Sequence, residues 1–262
     1  MGEHSSHRER ATLDMLRALG GSSRTAELAN ALNVSEETVR RNVKRLAGQG
    51  LAVRVHGGVF LTAQNGEPAF RARLNAQKGA KRRIGQAVAA IIPNGASLFL
   101  DTGTTSIYVA EALAARKNLT IITNSLEVAW RLGRDAAHQV MLAGGALRAS
   151  DGGAYGAEAM DYLRRFTPDF AIVSVAGITA QGFGQFDAAE ADLGRVMLAQ
   201  ARTAIAVADA TKFERNAPIS LGEPGQFALL VTDQPAPEPI AKAALHWGVD
   251  LHIAPPKLKD AK

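Results

Sequence analysis

The stretch Ser97-Leu98-Phe99-Leu100-Asp101-Thr102-Gly103-Thr104-Thr105 sets a short apolar, strand-like run directly against a small, hydroxyl-rich turn. Residues 107–115 continue it with a helical apolar pattern, so the segment reads as a strand handing over to a helix. The same unit recurs outward along the chain. Apolar runs of strand length stand at 119–122, 140–143, 170–175, 204–208, 227–231 and 251–253, with helical patterns at 126–134, 160–166, 188–201 and 239–247 between most of them. This alternation predicts an α/β domain over residues 78–262, built on a mostly parallel sheet covered by helices.

Upstream the pattern changes. Leu13, Met15, Leu16 and Leu19 recur at helical spacing up to Gly20-Gly21, and a second short helix is predicted over 25–32. Asn33-Val34-Ser35 makes a tight turn in which Ser35 is the natural N-cap of a third helix over 36–49. Val39, Val43 and Leu46 form its buried stripe, and Thr38, Arg40, Arg41, Lys44 and Arg45 lie on the opposite surface. Two strand-like runs, 51–55 and 59–61, flank His56-Gly57-Gly58 and predict a hairpin. Together these elements have the form of a winged helix-turn-helix over residues 1–64. Residues 65–77 lose the apolar pattern and read as a linker.

Charge follows the same division. The 262 residues hold 30 Lys/Arg against 25 Asp/Glu, a formal net charge of +5. Residues 1–64 carry nine cations against six carboxylates, residues 65–83 six against one, and the remainder fifteen against eighteen. A basic module ahead of a mildly acidic body points to a polyanion partner for the first and a different partner for the second. The absence of cysteine excludes disulfides, thiolate catalysis and iron–sulfur clusters. No apolar run approaches the ~18 residues of a membrane span, and a cytoplasmic protein with no membrane partner is expected.

In a winged helix-turn-helix the N-terminal half of the third helix enters the major groove of double-stranded DNA. Ser35, Glu37, Thr38 and Arg41 are placed for base edges, and Arg40, Lys44 and Arg45 for phosphates. Arg54 and His56 on the wing are candidates for the backbone or minor groove. A blander alternative is a small docking module whose cations only solvate its surface.

In parallel sheets ligands sit beyond the carboxyl ends of the strands. Here those ends supply Asp101, Thr102, Gly103, Thr104 and Thr105, then Thr123, Asn124 and Ser125, then Gly144 and Gly145 with Arg148, then Gly177, and finally Lys212. Small residues, hydroxyls and free N–H groups at helix starts are the means of holding a phosphate. Asp187 and Glu190, three apart at the start of the helical pattern over 188–201, can serve as a general base over a bound sugar or, more simply, stabilise the helix start or accept ligand hydroxyls. The expected ligand is a small phosphorylated sugar or polyol. No Walker A sequence, nucleophile elbow or H-E-x-x-H is present, and the six histidines have no metal-ligand spacing, so no catalytic residue, metal or cofactor is expected.

Two blocks carry a family resemblance. Ser35-Glu36-Glu37-Thr38-Val39-Arg40-Arg41 with Leu51-Ala52-Val53-Arg54-Val55-His56-Gly57-Gly58 resembles the N-terminal signature of the DeoR-type bacterial transcriptional repressors. Asp101-Thr102-Gly103-Thr104-Thr105, Thr123-Asn124-Ser125, Leu142-Ala143-Gly144-Gly145-Ala146-Leu147-Arg148 and Asp209-Ala210-Thr211-Lys212-Phe213 resemble that family's sensor domain. The resemblance implies a sensor fold like that of ribose-5-phosphate isomerase and CoA-transferase-like proteins, a homodimer or homotetramer, and a phosphorylated effector. Within the family, Asp151-Gly152-Gly153 and Lys212-Phe213-Glu214-Arg215-Asn216-Ala217 are most similar to regulators of glycerol 3-phosphate metabolism, which makes that compound a first candidate.

Three residues depart from the family pattern. Asn42 stands where Asp is usual, which would remove a negative charge beside DNA; Gly194 stands where a lysine is common; Arg24 stands where a capping Ser or Thr is preferred. The expected function is that of a sequence-specific regulator, a repressor of carbohydrate or polyol metabolism, and not an enzyme. The alternatives are a sugar-phosphate isomerase-like enzyme fused to a DNA-binding domain, which the missing lysine disfavours, and a DNA-binding protein whose sensor has lost its ligand.

Overall fold

The computed structural model describes residues 3–19, 22–49, 51–55, 58–61, 70–134 and 137–256. Two units divide the chain, Met1–Ala76 and Gln77–Lys262.

In the first unit, helix α1 (Glu3–Ala18) leads through strand β1 (Ser22–Arg24) into α2 (Thr25–Leu32) and α3 (Glu36–Gly48). Strands β2 (Ala52–Val55) and β3 (Gly58–Leu61) form the expected hairpin. β1 adds to its far edge, pairing antiparallel with β3 to give the order β1-β3-β2. Three residues of Ser-Ser-Arg carry no apolar alternation, so this strand exists only through its partner. Leu16, Leu28, Val39, Val43, Leu46, Ala52 and Val59 make one small core. Asn33 ends α2 in the left-handed conformation (φ 52°), which turns the chain sharply into Ser35 and α3. Arg24 precedes α2 without a side-chain cap, consistent with the missing Ser or Thr.

Asn42 corrects one expectation. It lies three residues after Val39 and four before Leu46, on the inward stripe, and is buried instead of lining the outer face. Its Nδ2 donates to Thr12 Oγ1 at 3.2 Å, and Thr12 donates to Arg8 O at 2.8 Å. An amide therefore ties α3 to α1 where a carboxylate could not donate. The expected linker is corrected too: residues 62–69 lie outside the described residues, but Phe70–Asn75 is a helix, α4.

The second unit begins with α5 (Lys78–Ile91) and alternates β4 (Ser97–Leu100), α6 (Thr104–Leu113), β5 (Thr120–Thr123), α7 (Leu126–Gly133) and β6 (Gln139–Leu142). A hairpin of β7 (Ala146–Arg148) and β8 (Gly153–Tyr155) follows, then α8 (Ala157–Leu163) and β9 (Phe170–Ser174). Next come β10 (Gly177–Thr179), β11 (Gly182–Gln185), α9 (Ala188–Gln200), β12 (Thr203–Val207), β13 (Ile219–Ser220), β14 (Leu229–Thr232), α10 (Glu238–Trp247) and β15 (Asp250–Ile253). Seven strands form a parallel sheet in the order β15-β14-β12-β9-β4-β5-β6.

The strands are apolar on both faces because both are covered. Phe99, Ile122, Ala171, Val173, Ala206 and Leu230 pack into one cluster with Leu163 of α8, Met197 of α9 and Ile240 of α10. Their alternating neighbours Leu98, Leu100, Ile121, Ile172, Ile205 and Val231 pack into the other, with Val88 of α5, Val109 of α6 and Leu132 of α7. The chain builds outward from β4 through β5 to β6, then crosses back to β9 on the other side of β4 and builds the opposite way. The strand order thus reverses between β4 and β9.

Candidate functional site

On the N-terminal unit, Glu36, Glu37, Arg40, Arg41, Lys44 and Arg45 are exposed along one face of α3. Ser35 caps the helix, its Oγ accepting from Thr38 N at 3.3 Å and lying 2.9 Å from Thr38 Oγ1. Arg40 pairs with Glu36 at 2.8 Å, Arg41 with Glu37 at 3.2 Å, and Arg45 with Glu9 of α1 at 3.5 Å. Exposed pairs of this kind contribute about 0.2–1 kcal/mol, so a polyanion can take over these guanidinium groups at small cost. Arg54 sits in β2 opposite Val59, and His56 lies outside the described residues.

On the second unit, the strand order reverses between β4 and β9, and the carboxyl ends of those strands mark the crevice position that ligands usually take in such sheets. Asp101 closes β4 there. Its Oδ2 accepts from Ser174 N at 2.9 Å, at the end of β9, and its Oδ1 accepts from the Ser106 hydroxyl. Burial pushes the Asp101 carboxyl up to about 6, although the hydrogen bonds from Ser106 and Ser174 pull the other way. A Cβ on Gly103 would collide with the Ser174 side chain, so only glycine lets the turn before α6 come this close to β9. Gly103 precedes α6 without a side-chain cap, leaving the N–H groups of Thr104 and Thr105 at an open helix start. All of Thr102 to Thr105 is buried.

The neighbouring β5 end is knitted to the β7–β8 hairpin. Thr123 Oγ1 donates to Leu100 O at 2.6 Å and accepts from Ser125 N at 3.0 Å. Asn124 O accepts from Ala154 N at 2.8 Å while its Nδ2 donates to Ala154 O at 3.2 Å. Ser125 caps α7 by accepting from Val128 N. Two buried acceptors in this region have no hydrogen-bond partner, Thr102 Oγ1 and Asn124 Oδ1. Such groups are costly in a finished fold and point to a missing partner.

Arg148 ends β7 inside a cage of carboxylates. Its Nε and Nη2 donate to Asp151, Nη2 also reaches Tyr155 Oη at 2.7 Å and Glu190 at 2.5 Å, and Nη1 lies 3.0 Å from Asp187. The guanidinium also stacks on the Tyr155 ring, 4.0 Å from its centroid. Burial, with Glu190 and Asp151 adding to it, drives the Tyr155 hydroxyl far above its usual range, so it stays neutral. The guanidinium that the sequence offers to a ligand has each of its three nitrogens in contact with these side chains. Asp187 caps α9, accepting from Glu190 N at 3.0 Å, as its alternative reading had it.

The remaining expected residues have mixed settings. Gly145 is held at φ +133° with Tyr155 O where a Cβ would stand, whereas Gly144 has open space. Gly177 opens β10 instead of closing β9, and a Cβ on it would strike Arg215 O; it serves close packing of backbones. Lys212 ends a one-turn 3-10 helix capped by Asp209, whose Oδ1 accepts from Thr211 N at 3.1 Å. Asp233 holds the same turn, accepting from Ala210 N at 2.8 Å and from Arg83 of α5 at 3.1 Å. At position 194, Leu221 fills the space beside the glycine: an added Cβ would lie 2.7 Å from Leu221 Cδ2. A side chain there would have to displace the end of Leu221.

Sequence reasoning missed Ser174, Ser106 and Gln185. The apolar run 170–175 spans Ser174, so its hydroxyl reads as part of the strand. Gln185 is buried on β11 and donates to Ser174 O at 2.7 Å. The polar residue closing an otherwise apolar run was the signal available for Ser174.

Among the described residues no helix is long and apolar enough to cross a membrane, and no group of three or more candidate metal ligands occurs. Residues 8–65 match the DeoR-like helix-turn-helix domain and residues 76–234 the DeoR C-terminal sensor domain. The chain is 39% identical over 224 residues to the HTH-type transcriptional repressor CsqR of Escherichia coli, covering 85% of this chain and 86% of that protein. It is 36% identical over 230 residues to the glycerol-3-phosphate regulon repressor of the same organism, covering 87% and 91%. Among solved structures, ribose 5-phosphate isomerase A from Neisseria gonorrhoeae aligns at 15% identity and a TM-score of 0.36, over 51% of this chain and 52% of that one.

Proposed function

The chain belongs to the DeoR family of DNA-binding transcriptional regulators, and from that premise we propose that a phosphorylated sugar or polyol, with glycerol 3-phosphate the first candidate, controls its hold on an operator. The observation that carries this reading is the crevice where the strand order reverses: the uncapped start of α6 lies beside Thr102 Oγ1, and Asn124 Oδ1 on the adjacent strand end is likewise buried and unpartnered. A phosphate meets N–H groups and the Thr104 and Thr105 hydroxyls there, and the hydroxyl end of the ligand extends toward Arg148, Asp187 and Glu190. The regulator acts as a symmetric homodimer or homotetramer, and its ligand shifts the balance between forms of different operator affinity. The sensor binds without turnover: the lysine common in the family is replaced by Gly194, and sugar-phosphate isomerisation by the purified protein would overturn that.

The test is thermal unfolding with phosphate esters, glycerol 3-phosphate included. A ligand at a hundred times its Kd stabilises the native state by about 2.7 kcal/mol, a shift of several degrees. Thr104→Val/Thr105→Val is expected to abolish both that shift and operator release while operator binding persists. No shift with any ester, or a shift surviving in the double variant, overturns the assignment.

The DNA face makes its own prediction. Arg41→Ala should cost roughly 1 to 3 kcal/mol on operator DNA and relax sequence preference, whereas Lys44→Ala should weaken operator and random DNA alike. Equal losses on both DNAs for Arg41→Ala would remove Arg41 from base reading.

A further inference from the structure

We infer that the β6 end of the sensor sheet, with α7 and the β7–β8 hairpin beside it, is the face on which two copies of this chain meet across a two-fold axis. The inference rests on the homo-oligomer reading above and names its surface.

Among the described residues of this unit, the large apolar side chains left exposed stand at the two ends of the sheet. Leu126, Trp130, Leu142 and Leu147 lie at the β6 end, and Leu245, Leu251 and Ile253 at the β15 end. Trp130 is 65% exposed and Leu147 61%. Leu126 and Trp130 stand four apart on one face of α7. A Cβ on Gly152, in the hairpin turn, would lie 3.8 Å from Leu126 Cβ, and one on Gly133 3.9 Å from Val140 Cβ. The helix therefore runs from the hairpin to β6, and the four side chains share one end of the unit. Exposed apolar groups gathered in this way mark an interaction surface.

The chemistry of that end selects a second copy. Residues 139–147, Gln-Val-Met-Leu-Ala-Gly-Gly-Ala-Leu, hold no charged side chain and no proline. Among the described residues β6 pairs with β5 alone, so its other edge is open. Open edges are ordinarily guarded by charge, proline or a bulge. β15, at the opposite edge, alternates Asp250 and His252 with its apolar residues, whereas β6 has no charge along it. The charged residues of α7 are engaged around the patch: Arg131 lies 2.7 Å from both Glu111 and Glu127, and the Arg134 guanidinium lies 5.8 Å from the centre of the Trp130 ring. A two-fold contact sets a patch against itself, so clustered charge of one sign would forbid it. An uncharged surface with an exposed tryptophan meets itself without that penalty and has the make-up of an interface core. The DNA-binding unit supplies an independent reason. Helix-turn-helix proteins read paired half-sites as two-fold dimers, and this chain matches one such domain.

Sedimentation of the full chain over a concentration series tests the surface. The unaltered protein is expected to be a dimer or tetramer, and Trp130→Asp/Leu147→Asp to halve the particle mass. Both positions are exposed, and circular dichroism checks that the variant is folded. The chain has two tryptophans, so Trp247→Phe leaves Trp130 as the one fluorescent reporter. In that oligomer Trp130 should be quenched by acrylamide about twofold less than in Trp247→Phe/Leu147→Asp, because the interface covers it. Either an unchanged mass in the double variant, or a Trp130 equally open to quencher in both proteins, overturns the surface while leaving the homo-oligomer standing. A monomer at every concentration of the unaltered chain defeats the homo-oligomer reading and the surface with it.

Discussion

Arg148→Met is expected to destabilise the sensor unit by about 3 to 5 kcal/mol, the usual result of removing one partner from a buried charge cluster. Methionine keeps much of the aliphatic volume, so the loss reports charge and hydrogen bonding more than packing. Three carboxylates would be left facing one another, with Asp151 out of reach of water. The measurement is urea denaturation of the sensor transition at pH 7 and again at pH 4. The loss should shrink at the lower pH, because carboxylates that have lost the Arg148 guanidinium relieve their repulsion by taking up protons. A change below 1 kcal/mol at pH 7 would mean that the cage is a solvated surface feature.

Asp101→Asn is expected to act in the opposite direction. The Asp101 carboxyl, raised from 3.8 to about 6 by burial, binds its proton more tightly in the folded than in the unfolded chain. Its favourable contribution to stability is therefore complete below about pH 4 and is lost as the pH rises through 6. The raise corresponds to about 3 kcal/mol at most. Asparagine can accept from Ser174 N and donate to Ser106 Oγ, so the variant keeps both contacts without the buried charge. The variant should match the parent near pH 3.5 and exceed it at pH 8 by up to that amount. The check is a series of denaturation curves between those limits. A gap that widened as the pH fell would refute the assignment.

Much of this was written locally. The strands of the sheet are apolar on both faces, so each announced itself as a short continuous run; the helix starts at Ser125 and Asp187 are marked by capping residues, and the start after Asp101 by its run of small and hydroxyl residues. The recognition helix was legible because Ser35 caps it and Val39, Val43 and Leu46 repeat at helical spacing. What escaped depended on partners distant in sequence. β1 is a strand only because β3 lies beside it, and the inward setting of Asn42 depends on Thr12 of α1, thirty residues away. The Arg148 cage joins residue 148 to residues 187 and 190, a juxtaposition that no local pattern encodes. Individual crevice residues were identifiable as strand ends; their convergence with Ser174 follows from the β4–β9 pairing.

That pairing also sets the order in which the molecule can be made. β4 and β9 are neighbours in the sheet, yet more than seventy positions separate Asp101 from Ser174, which it contacts. Contacts across such spans are slow to form, since a long loop must close before they contribute anything. As the polypeptide leaves the ribosome, β4, β5 and β6 emerge first, with one edge of β4 bare until β9 arrives. Among the pairings of the seven-stranded sheet, the one beside the crevice closes the longest stretch of chain. A ligand held there would bind only chains that have completed the central pairing.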